Sequence, residues 1–191
     1  MIPRYAVALI SLFGVIMTSS LADPGNVYDP MQSRRLIEFR KTIGFDAALA
    51  KERRDAQVLV DWNGLQSPPE LKGWNRRIDV TAGEGGEQFI SIDFTRNEEQ
   101  VNLNIEVFNP KRNKAPESLL IKADSVTAMK IPYVKGPHDL GTLSLTSPSQ
   151  PPRRVFWFFH NVLAEVSTYK TDVSAMTVAR WLQQQMQINT R

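Results

Sequence analysis

The chain has 191 residues, 23 Lys and Arg against 20 Asp and Glu, and a formal net charge of +3. So even a balance does not argue for nucleic acid as a partner, and none is expected. The absence of cysteine excludes disulfides, thiolate metal sites, thiol nucleophiles and lipid attachment at a cysteine, so stability must come from core packing and sheet hydrogen bonds.

The amino-terminal segment has the layout of a secretory signal. Met1–Arg4 is basic, Tyr5–Met17 is almost wholly apolar, and small residues stand at Ser20 and Ala22 before the chain breaker Asp23-Pro24-Gly25. The apolar stretch is shorter than the ~20 residues a spanning helix needs. Cleavage after Ala22 is therefore expected, with retention as a membrane anchor the alternative. Every later apolar run is interrupted by Pro, Arg, Asp or Lys, so no other spanning segment is expected. Residues 23–191 are read as one domain, periplasmic or secreted.

Asp29-Pro30 suits a helix start, with Asp capping free amides and Pro at the first helical position. Leu36, Phe39 and Ile43 then share one helical face, and Gly44 is a stop. Asp46 suits the cap of a second short helix through Ala50. Strands begin at Ala56–Trp62, and Asn63-Gly64 and Pro68-Pro69 mark a loop up to Trp74. From Arg76 the apolar period is two. Ile78 and Val80 alternate with charged residues, Gly83–Gly86 turns the chain, and Ile90, Ile92 and Phe94 form one face of the next strand. After an Asn97-Glu98-Glu99 turn, Val101, Leu103, Ile105 and Val107 alternate with Asn102, Asn104 and Glu106, which implies one face in a core and one in water.

Asn109–Glu117 reads as a basic loop, and Leu119-Leu120-Ile121, Met129–Val134 and Leu143–Leu145 as further strands. Arg154–Phe159 and Val162–Thr168 form a hairpin around His160-Asn161, with Asn tolerating positive φ. Thr171 or Asp172 caps a final helix, Val173–Gln187, whose buried stripe is Met176, Ala179, Leu182 and Met186. The sum is an α+β fold: an antiparallel sheet of about eight strands with an N-terminal and a C-terminal helix. A β-sandwich with peripheral helices is the alternative.

Catalytic signatures are missing. There is no G-x-S-x-G, and His138-Asp139 on a Gly-Pro loop lacks a companion nucleophile, so it reads as solvated. His160 reads as a turn residue. Two histidines and no cysteine do not make the usual zinc set, and neither H-E-x-x-H nor an EF-hand loop occurs. Glu84, Glu87, Asp93, Glu98 and Glu99 crowd one hairpin region, where a solvated acidic edge is the simpler reading than a calcium site. No metal and no cofactor are expected. Gly83–Gly86 joins two strands, so it is a hairpin turn rather than a phosphate cradle.

Charge is segregated. Arg34–Arg54 carries seven positive and three negative side chains, and Asn75–Val107 carries three positive and seven negative. Arg34, Arg35, Arg40 and Lys41 form a candidate basic surface for anionic lipid or cell-wall polymer, against the plainer reading of a solvated face. Trp62, Asn63, Lys72 and Trp74 bracket a loop and form the candidate ligand-contacting edge, with packing of the two indoles the competing reading. Trp157 is expected in the core.

Together these features suggest an exported, non-enzymatic domain that binds an envelope protein or polymer. A carboxylate-dependent, glycan-directed hydrolase is the alternative. A concave pocket holding two acids would favour the hydrolase; a face rimmed by Trp62, Trp74 or the basic helix would favour the binding domain.

Overall fold

The computed structural model describes residues 33–52, 56–62, 64–124 and 131–189. The leader and the Asp29-Pro30 helix start lie outside these residues, as does Asn63.

Helix α1 (Arg34–Ile43) starts at Ser33, whose hydroxyl accepts the Leu36 amide at 3.3 Å. It buries Leu36, Phe39 and Ile43, and ends where Gly44 takes a left-handed φ of 70°. Helix α2 (Phe45–Leu49) follows at once and buries Phe45. Strand β1 (Gln57–Leu59) is shorter than the Ala56–Trp62 run expected.

Three strands then fold as a meander: β2 (Asn75–Ala82), β3 (Gln88–Arg96) and β4 (Glu99–Val107). In β3 and β4 the alternation is the one read from the sequence; in β2, Ile78 is only half-buried and Val80 is 43% exposed. Val101, Leu103 and Ile105 are buried, with Ile92 opposite Leu103 and Ile90 opposite Ile105.

Leu119-Leu120-Ile121 is not a strand. It lies in helix α3 (Ala115–Asp124). Asn113 accepts the Ala115 amide at 3.0 Å and so caps the start. Ala115, Leu119, Leu120 and Ala123 are buried at helical spacing, while Ile121 points out at 47% exposure. A short apolar triplet cannot distinguish the two periods; the residues four before and after it do. Of the expected Met129–Val134 strand, residues 129–130 lie outside the described residues, and strand β5 is the short Val134–Lys135.

Strands β6 (Leu143–Thr146), β7 (Arg154–Phe159) and β8 (Val162–Tyr169) complete a seven-stranded antiparallel sheet in the order β2-β3-β4-β8-β7-β6-β5. In the β7–β8 turn it is His160, not Asn161, that takes positive φ, at 52°. The Asn161 side chain serves elsewhere: Nδ2 donates to the Phe108 carbonyl and Oδ1 accepts the Val58 amide, both at 2.8 Å.

The last helix, α4 (Ala175–Gln185), is capped by Ser174 rather than Thr171 or Asp172. It ends two residues earlier than expected, because Gln187–Asn189 forms strand β9 and pairs antiparallel with β1.

Two cores lie on opposite faces of the large sheet. On one face, α4 and the 62–74 loop cover Ile92, Leu103, Val166 and Trp157. The Trp157 indole donates to Gln183 of α4 at 2.7 Å. On the other face, α1–α3 pack over Leu143, Leu145, Phe156, Phe158 and Leu163. Those side chains belong to β6, β7 and β8, so this helical layer leaves the β2–β3–β4 half of its face uncovered. Among the described residues no helix is long and apolar enough to cross a membrane.

Candidate functional site

The uncovered half of the sheet presents side chains in cross-strand rows set by the register. The successive rows are Thr81, Phe89, Glu106; then Asp79, Ser91, Asn104, Glu165; then Arg77, Asp93, Asn102, Ser167; then Asn75, Thr95, Gln100, Tyr169. Residues directly opposite on neighbouring strands share a face. The face is thus a ladder of amides, hydroxyls and carboxylates, with an exposed ring in the first row and another in the last. Phe89 is 44% exposed and Tyr169 56%. From the first row to the last is six residues along a strand, about 20 Å. Two shallow cavities, of about 270 and 350 Å3, lie between the rings.

The polar groups of this face are tied to one another. Asn102 donates to Asp93 at 2.6 Å, and the Ser91 hydroxyl to Asn104 at 3.3 Å. Most of the charges are paired: Arg77 with Asp79 at 2.9 Å, Arg154 with Glu165 at 3.1 Å, and Lys122 of α3 with Glu106 at 3.0 Å and Glu165 at 3.2 Å, while Asp93 has the Asn102 amide and no cation among the described residues. Burial acts to lower the Lys122 pKa, but the carboxylates of Glu106 and Glu165 outweigh it and hold the ammonium above the ordinary lysine value.

A second concavity, of about 520 Å3, opens between α1–α2 and the start of α3. Phe45, Leu49, Pro110 and Pro116 form its apolar wall, and Arg40, Lys111, Glu52 and Glu117 its polar one. It therefore does hold two acids. Glu52, however, is committed: its side chain is 3% exposed, one oxygen accepts from the Thr142 hydroxyl, and the other lies against His160 Nδ1. His160 is more than a turn residue, since this contact ties the β7–β8 turn to the segment after α2. Nothing local in the sequence signals the pairing, because the partners come from distant segments.

The sequence-derived candidates are dispersed. Trp62 and Trp74 are each 7% exposed and belong to the α4-side core, so they form no exposed rim; Lys72 is exposed beside them. The Arg96 guanidinium closes over the Trp74 ring at 4.7 Å from its centroid. The basic surface of α1 is largely neutralised in the fold: Arg34 pairs with Glu38, Arg35 with Asp124 and Arg40 with Asp46, while Lys41 stays exposed. His138 is exposed, and Asp139 holds Arg180 at 2.7 Å rather than orienting the imidazole. The Arg180 hydrogen bond lowers the Asp139 pKa. Among the described residues no group of three or more His, Asp or Glu is placed to hold a metal ion.

No family model matches this chain, and no curated protein or solved structure does so either.

Proposed function

We propose that the chain is an exported, non-enzymatic domain, periplasmic or secreted, that binds a neutral, hydroxyl-rich envelope polymer along the open face of β2–β3–β4. The secretory layout of residues 1–22 supports export. The observation that carries the binding reading is the ladder of amides and hydroxyls between exposed Phe89 and Tyr169. Sugar hydroxyls both donate and accept, and side-chain amides and hydroxyls do the same. Aromatic rings supply apolar faces for stacking. Most charges of the face are paired within it, and among the described residues Asp93 is the carboxylate left without an ion pair; that residual negative charge disfavours an anionic polymer and leaves an uncharged one the better fit.

The test is calorimetric titration with soluble, uncharged oligosaccharides of β-1,4-linked N-acetylglucosamine. Phe89→Ala and Tyr169→Ala are each expected to weaken binding about fivefold to tenfold, from the loss of ~1 kcal/mol of ring contact. Both rings are exposed, so the melting temperature is expected to stay within a few degrees. Equal affinity of wild type and both variants, or no binding by wild type, refutes the reading.

The second reading is a glycan-directed hydrolase acting in the 520 Å3 cleft, favoured by Glu52 and Glu117 in one wall. It requires Glu52 to leave Thr142 and His160. Release of reducing ends by wild type and not by Glu52→Gln would support it over the binding domain.

A further inference from the structure

We propose that the cavity of about 190 Å3 between α2 and the 134–144 segment is an anion site that takes one phosphoryl group. Lys51 after α2, Lys135 of β5 and His138 line it, together with the small residues Gly44, Ala47 and Ala48. Each of the three cavities described above has a carboxylate in its wall, and this one has none. The nearest acids in sequence are already engaged. Glu52, beside Lys51, is held by Thr142 and His160, and Asp139, beside His138, by Arg180.

Neither lysine has a carboxylate partner among the described residues, and both are exposed residues that line the cavity. Lys135 Nζ is 3.6 Å from where a Cβ on Gly44 would stand, which sets the ammonium against the α1–α2 junction. Two positive charges around one recess attract an anion more strongly than the same charges spread over open surface. The hydroxyls of Thr142 and Ser144 are spent as donors, to Glu52 and to the Pro137 carbonyl. Recognition therefore falls to the two ammonium groups and the His138 N–H. The volume suits a single tetrahedral group rather than a nucleotide.

A phosphoryl group can come from a small phosphorylated molecule or from an anionic lipid headgroup, and the experiment separates them. The 15N-labelled full chain is titrated with inorganic phosphate, and its flotation is measured with vesicles of phosphatidylglycerol or of phosphatidylcholine. Saturable shifts of the Gly44, Ala47 and Gly136 amides are expected, with affinity about tenfold weaker in Lys51→Gln/Lys135→Gln. Phosphate shifts without flotation support a free phosphoryl ligand. Flotation with phosphatidylglycerol only, lost in the double variant, supports a headgroup. Lys72→Gln, a change at an exposed lysine elsewhere, is expected to bind as wild type. Absence of both shifts and flotation, or equal behaviour of wild type and the double variant, overturns the proposal; so does equal weakening by Lys72→Gln.

Discussion

Asn161→Ala removes a side chain that joins three parts of the chain. Asn161 is 1% exposed; it accepts the Val58 amide of β1 and donates to the Phe108 carbonyl just beyond β4, both at 2.8 Å. Alanine keeps the turn but leaves a buried donor and a buried acceptor without these partners. Each such orphan costs ~1–3 kcal/mol, so the variant is expected to lose roughly 3 kcal/mol. That is a large share of the ~5–15 kcal/mol that holds a domain of this size together. Urea unfolding at 25 °C followed by tryptophan fluorescence measures the total. Amide hydrogen exchange locates it: protection should fall first at Val58. Asn113→Ala is the control. It removes the Ala115 cap and the 2.8 Å bond to the His160 carbonyl, so it should fray the start of α3 and leave Val58 protected. A loss below ~1 kcal/mol in Asn161→Ala with Val58 still protected would refute the reasoning.

The two sheet faces make opposite demands at adjacent residues: Leu103→Ala is expected to cost ~2–5 kcal/mol and Asn104→Ala less than ~0.5 kcal/mol, read by urea midpoints. Gly141 has φ 57°, and a Cβ there would run into the Phe158 carbonyl oxygen, so Gly141→Ala should cost at least ~1–2 kcal/mol; an unchanged melting temperature would contradict this. Lys122 carries a raised folded pKa, so its charge stabilises fully below the unfolded value of about 10.4 and ceases to as pH rises through the folded value. The deficit of Lys122→Met relative to wild type should therefore be largest near pH 8 and shrink above about pH 10.5 in thermal melts; a pH-independent deficit counts against the pairing.

What the sequence made legible was periodicity held over several turns or pleats. Leu36, Phe39 and Ile43 marked α1, and the alternation through Ile90–Phe94 and Val101–Ile105 marked the meander and its wet face. The Arg154–Phe159 and Val162–Thr168 hairpin was visible because β-branched and aromatic residues flank a polar pair. The misreading of Leu119-Leu120-Ile121 followed from judging three residues without Ala115 and Ala123. Strand β9 was hidden because Gln187-Ile188-Asn189 has no strand character of its own and acquires it from β1. The polar face of β2–β4 was visible as alternation, but not its uncovered state, which depends on where α1–α3 dock. Of the basic segment, Arg35 and Arg40 are paired in the fold, by Asp124 and Asp46, while Lys41 and Lys51 stay exposed.

The pairing of β1 with β9 makes β1 wait for a segment that is synthesised long after it. A chain emerging amino end first from a ribosome or a translocation channel can zip up the β2–β3–β4 meander early, while Gln57–Leu59 stays single until Gln187–Asn189 arrives. Premature termination anywhere before Gln187 would leave β1 an unclasped ribbon for quality-control proteases to seize.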